Sequence, residues 1–96
     1  MLERDVEAYF RKAVAAAGGV AFKFVSPSHR GVSDRIVCLQ GQTWFVELKR
    51  PGGRLSPLQR VFAAEMERLG QNYTVLSSQM EIDEWLSGLT IKSGSS

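Results

Sequence analysis

The run FVELK, Phe45 to Lys49, places a carboxylate and an ammonium two residues apart, and a basic loop follows before LSPLQ closes at Gln59. If the run is a β-strand, Phe45, Glu47 and Lys49 share one face, with Trp44, Val46 and Leu48 on the other. An ion pair at an exposed strand end contributes little to stability. On a half-buried surface the same two groups are costly unless something pairs with them. A second carboxylate close to Glu47 would give the set a chemical use. A hard divalent cation takes oxygen ligands, and a cation with an ammonium beside it is what phosphodiester hydrolysis requires to polarise a phosphate and orient water.

Asp34 is the candidate for that second carboxylate. DRIVCLQ and QTWFVELK are two strand-like runs separated around Gly41 by a connection short enough for a β-hairpin. If the chain turns through Gln40-Gly41 alone, Leu39 faces Gln42, and counting back along both strands brings Asp34 opposite Glu47. Their Cβ atoms would then be about 5 Å apart on the same face. Like charges that close force a proton onto one group unless a cation lies between them. A three-residue turn would instead set Leu48 across from Asp34.

The elements that must hold these groups follow from periodicity. Leu2, Val6, Phe10, Ala13, Val14 and Ala17 recur at helical spacing, and Gly18-Gly19 ends that helix. VAFKFV predicts a strand, and SPSHRGVS a loop. Ser56 with Pro57 opens a second helix whose apolar residues Leu58, Val61, Phe62, Met66 and Leu69 share a face before Gly70. NYTVLS predicts a fourth strand and QMEIDEWLSGL a final helix, with Ile82, Trp85 and Leu86 facing inward. The order is αβββαβα. Both faces of the hairpin are apolar, Ile36, Cys38 and Phe45 on one and Val37, Leu39, Trp44 and Val46 on the other, which predicts helices on both sides of the sheet and a buried Cys38.

Ninety-six residues, 44% of them hydrophobic and 23% charged, fit one small domain. We take it to span residues 1–90, followed by a disordered polar tail over 91–96. The net charge of +2 is compatible with a polyanionic partner and identifies none. The single cysteine excludes an internal disulfide and a multi-thiolate zinc site, and points to a reducing compartment. MLERDVEAYF lacks the apolar core of a signal peptide and no apolar run approaches membrane-spanning length, so a cytoplasmic setting without membrane association is expected.

Taken together, a glutamate in the first helix (Glu7, with Glu3 as alternative), GVSD at Gly31–Asp34, ELK at Glu47–Lys49 and the Gln59 of LSPLQ resemble the VRR-NUC family of the PD-(D/E)XK nuclease superfamily. The resemblance runs from residue 2 to about residue 86, with Ser33 where the family has proline. It implies a restriction-endonuclease-like α/β fold and a Mg²⁺- or Mn²⁺-dependent deoxyribonuclease. It further implies that Glu7, Asp34, Glu47 and the backbone carbonyl of Leu48 hold the metal, that Lys49 positions the attacking water, and that Gln59 assists. The small stand-alone members it resembles are phage or bacterial proteins acting as homodimers on branched DNA such as Holliday junctions, in the cytoplasm of a bacterial host. Arg30, Arg35, Arg50 and Arg54, with Arg60, are candidates for phosphate contacts.

Each residue also has a plainer role available. Glu7 can be a solvated helix charge, Asp34 a turn former, and His29 polar surface. Ser56 and Gln59 form the S-x-x-Q pattern of a helix capping box, which is compatible with a place in the site. The alternative to a nuclease is a nucleic-acid-binding module that keeps the fold without cutting, and beyond it a structural domain whose carboxylates cap loops.

Overall fold

The computed structural model describes residues 1–26 and 31–94. Seven elements follow one another as predicted: α1 (Glu3–Ala16), β1 (Val20–Lys23), β2 (Arg35–Leu39), β3 (Gln42–Leu48), α2 (Pro57–Arg68), β4 (Tyr73–Leu76) and α3 (Gln79–Gly94). The strands form one mixed sheet in the order β1-β2-β3-β4. β1 and β3 each run antiparallel to β2, while β4 lies parallel to β3. A parallel neighbour cannot be reached by a tight turn, so the chain crosses from β3 to β4 through α2.

The hairpin turns through two residues. Leu39 faces Gln42 and Arg35 faces Val46, which is the register that brings Asp34 level with Glu47. Gln40 and Gly41 both have positive φ, 51° and 77°, as a type I′ turn demands because its twist matches that of the strands it joins. Glycine takes this conformation without steric penalty.

One face of the sheet carries the core. Val6, Phe10 and Val14 of α1 and Ile82, Leu86 and Leu89 of α3 pack with Val37, Leu39, Val46, Leu48 and Leu76. Trp85 joins the two helices to the sheet, with its ring 6.0 Å from Phe10 and 5.5 Å from Trp44 between centroids. The Tyr9 hydroxyl donates to Asp83 at 2.6 Å and ties α1 to α3 at the surface.

The other face is only partly covered. α2 lies against β3 and β4, where Phe62 stacks edge-on to Phe45 and Tyr73 with centroids 6.0 Å and 5.9 Å away. No residue of α2 is fully buried. Two sequence-based expectations are corrected here. Of the apolar face of α2, Phe62 packs on the sheet and Met66 is half-buried, but Leu58 and Val61 are 49% and 66% exposed and Leu69 is exposed as well. Cys38 is exposed rather than buried, because it lies on the β1–β2 part of this face, beyond the reach of α2. α3 runs to Gly94, and no proline interrupts its backbone ladder after Trp85. Among the described residues, no helix is long and apolar enough to cross a membrane.

Candidate active site

At the open end of the hairpin, opposite its turn, two acidic side chains converge. Asp34 lies one residue before β2, where its backbone carbonyl accepts a hydrogen bond from the Phe24 amide at 2.9 Å. Its side-chain Oδ1 accepts from the Leu48 amide of β3 at 3.3 Å. The aspartate is thus pinned between the strands on either side of β2. Glu47, on β3, is only 4% exposed. Burial, and then the Asp34 carboxylate beside it, push the Glu47 carboxyl up to about 7, and the Lys49 ammonium opposes the shift. Burial also raises Asp34, although the Leu48 amide and Arg35 pull it back down. These are the signs expected of two like charges held together away from water.

Gln59 has two roles in one side chain. Its Oε1 accepts from the Ser56 amide at 2.8 Å while the Ser56 hydroxyl accepts from the Gln59 amide at 3.2 Å, which is a complete capping box. Its Nε2 then reaches Glu47 Oε2 at 3.4 Å. The helix start is held against the site by close backbone packing. A Cβ on Gly31, whose φ is +86°, would overlap the Leu58 carbonyl, so the GVSD loop and the first turn of α2 meet at a distance only glycine permits.

Arg35 does not lie at the surface as a phosphate ligand would. It is 5% exposed, on the sheet face that α1 covers, and its guanidinium stands 3.6 Å from Glu7 Oε2. Placement on that face follows from strand alternation, since Arg35 lies one residue beyond Asp34. Its Nε has no hydrogen-bond partner among the described residues. Glu7 is engaged by Arg35 and raises the Asp34 carboxyl, whereas Glu3, exposed at the start of α1, raises Glu47. Both helix-one candidates therefore act on the carboxylate pair, each on a different member. Lys49 is half-buried beside Glu47 and makes no ion pair with a carboxylate among the described residues. Arg50, Arg54 and Arg60 are exposed on the loop after β3 and the first turn of α2. His29 and Arg30 lie outside the described residues.

The donor set suits a hard cation. It comprises two carboxylates, the buried Glu47 and the half-buried Asp34, whose repulsion a positive charge would relieve. Among the described residues, no three Asp, Glu, His or Cys side chains close around one point. Mg²⁺ is commonly bound in this manner, by one or two carboxylates with the remaining positions left to water and phosphate oxygens.

Sequence reasoning missed Tyr73. It follows Asn72 at the start of β4, and its register partner is Phe45, so alternation puts it on the Glu47 face. Burial and the Glu47 and Asp34 carboxylates push its hydroxyl up to about 12. The signal lay in the parallel pairing of β4, which a strand prediction does not supply.

No family model matches the chain. A protein named "Putative nuclease p44", from Acyrthosiphon pisum secondary endosymbiont phage 1, is 44% identical over 78 residues, which cover 80% of this chain and 84% of that protein. A solved structure described as a VRR_NUC domain superposes with a TM-score of 0.82 at 28% identity, covering 88% of this chain and 94% of the other. The chain belongs to the VRR-NUC nuclease family. Its α/β fold is that of a VRR-NUC domain, and the residues that carried the resemblance, GVSD, ELK and the α2 glutamine, meet at one end of the β2–β3 hairpin.

The raised Glu47 carboxyl gives a pH dependence of defined sign. Because its folded-state pKa lies above the unfolded value, the protonated form favours folding, and that contribution is fully present below about 4.5 and lost as pH rises through about 7. In EDTA the thermal midpoint should therefore fall between pH 5 and pH 8. The fall should be shallower in Glu47→Gln; an unchanged slope in that variant would place the titrating group elsewhere.

Proposed function

We propose that this VRR-NUC chain is a Mg²⁺- or Mn²⁺-dependent DNA endonuclease that hydrolyses phosphodiester bonds, acting as a homodimer on branched DNA such as a four-way junction. The observation that carries the reading is the convergence of Asp34 and Glu47 across the hairpin with Lys49 two residues on. Asp34, Glu47 and the backbone carbonyl of Leu48 would hold the cation, with Glu7 or Glu3 completing the set from α1. When bound, the cation supplies positive charge that polarises the phosphate and makes a nearby water more acidic.

The remaining work falls to the chain's own residues. The Lys49 ammonium, free of a carboxylate partner, orients the attacking water and offsets charge developing on the phosphate. Gln59 holds Glu47 in place through its Nε2, and its own position is fixed by the cap it makes with Ser56. Arg50 and Arg54 meet flanking phosphates from the exposed loop, and Arg30 belongs to the same proposed set. Arg35, buried with Glu7, is left out of it.

Symmetric cleavage of a junction requires two sites related by a two-fold axis, and each chain supplies one. The uncovered sheet face supports that assembly. Val20, Phe22 and Phe24 are 51%, 54% and 39% exposed. With Cys38, and with Leu58 and Val61 exposed on α2, they leave exposed apolar side chains of the kind that mark an interface between chains.

Two experiments test the reading. Mn²⁺ should activate cleavage of junction DNA and EDTA should stop it. Glu47→Ala and Lys49→Ala should each lose about a thousandfold or more in rate while keeping the circular dichroism of the parent; binding without cleavage in the parent would instead favour a non-catalytic module. Sedimentation should show a dimer that Val61→Asp converts to monomer, and a monomeric parent would remove the paired-site part of the proposal.

A further inference from the structure

Between α2 and the edge strand β4 lies an open groove of about 460 Å³, lined by Leu55, Arg60, Ala63, Ala64, Glu67, Gln71, Tyr73 and Val75. Tyr73 and Val75 come from the sheet, and Ala63 and Ala64 form the side contributed by α2. Arg60 stands at the N-terminal end of the helix beside Leu55, while Glu67 and Gln71 mark the other end. The groove lies on the sheet face that carries the carboxylates. Val75 is the register neighbour of Glu47 on β3, and the Tyr73 ring, held edge-on against Phe62, carries a hydroxyl that feels both Glu47 and Asp34.

We infer that this groove is a nucleotide subsite, which takes one unpaired nucleotide of the DNA strand beside the bond to be cut. The inference rests on the nuclease reading and adds to it the part of the substrate that is recognised. Its volume falls in the range of small-molecule clefts. Its composition suits a nucleotide: an aromatic ring and small aliphatic side chains for base and sugar, with one cation, Arg60, for a phosphate. Glu67 at the far end repels a second phosphate, so the strand enters at the Arg60 end and its next phosphate is turned away. A base inside a duplex is stacked on its neighbours and must be taken out of the stack to enter such a groove, at a cost of a few kcal/mol. A base at a flap or a gap is already free, and at a junction branch point the stack is interrupted, so the cost of taking a base out is smaller. The groove therefore gives a physical reason for selecting branched over continuous duplex DNA without reading sequence.

Fluorescence anisotropy with a labelled ten-residue oligothymidylate in EDTA tests this with no cleavage in the readout. Ala64→Trp, which fills the groove, and Arg60→Glu should each weaken binding about tenfold or more. Ala15→Trp, on an exposed position of α1, should match the parent and control for the added tryptophan. Parent-like binding by both Ala64→Trp and Arg60→Glu would overturn the subsite, as would failure of the parent to bind the oligonucleotide. Conversion of a dimer to monomer by Ala64→Trp in sedimentation would overturn it too, because the groove would then hold a second copy. If the parent cuts junction DNA in Mn²⁺ while the groove variants bind normally, only the subsite fails. Absence of cleavage in the parent fails the nuclease reading itself.

Discussion

Two carboxylates brought together at the open end of one hairpin repel each other, and most of the molecule around them can be understood as the means of holding them there. Asp34 is restrained by the amides of Phe24 and Leu48, and Glu47 by burial and by Gln59. Neither restraint neutralises the pair. Burial first, and then the neighbouring Asp34 charge, keep the Glu47 carboxyl raised to about 7. A cation placed between the two groups would relieve the repulsion between them.

The division of labour between the two sheet faces follows from that arrangement. The face under α1 and α3 holds the core, and with it the only buried cation among the described residues, Arg35, paired to Glu7. The opposite face carries Asp34 and Glu47, and α2 covers it just far enough to deliver Gln59 and to build an aromatic cluster with Phe45 and Tyr73. A helix seated more centrally would bury Cys38 and Phe22 but would close the ground on which a partner strand or a second chain can lie.

Much of this was legible in the residues. A two-residue turn at Gln40-Gly41, one of two turns the residues allowed, was enough to pair Asp34 with Glu47, because strand periodicity leaves no freedom once the turn is set. The Val6, Phe10, Val14 stripe and the Ser56-Pro57 start marked two helices correctly. What could not be read was coverage. Alternation says which side chains share a face, but whether that face meets a helix depends on where the crossover deposits α2, and this left Cys38, Leu58 and Val61 exposed. Arg35 looked like a surface cation until strand alternation and α1 together buried it. Tyr73 was invisible for a related reason: its proximity to Glu47 arises from parallel pairing between strands separated by a whole helix.

The most direct test is a crystal soaked in Mn²⁺ and measured at a wavelength where manganese scatters anomalously. The account predicts one strong peak between the Asp34 and Glu47 carboxylates, within coordination distance of the Leu48 carbonyl and lost in Asp34→Asn. Manganese bound elsewhere, or ordered carboxylates with no ion between them at saturating Mn²⁺, would contradict it.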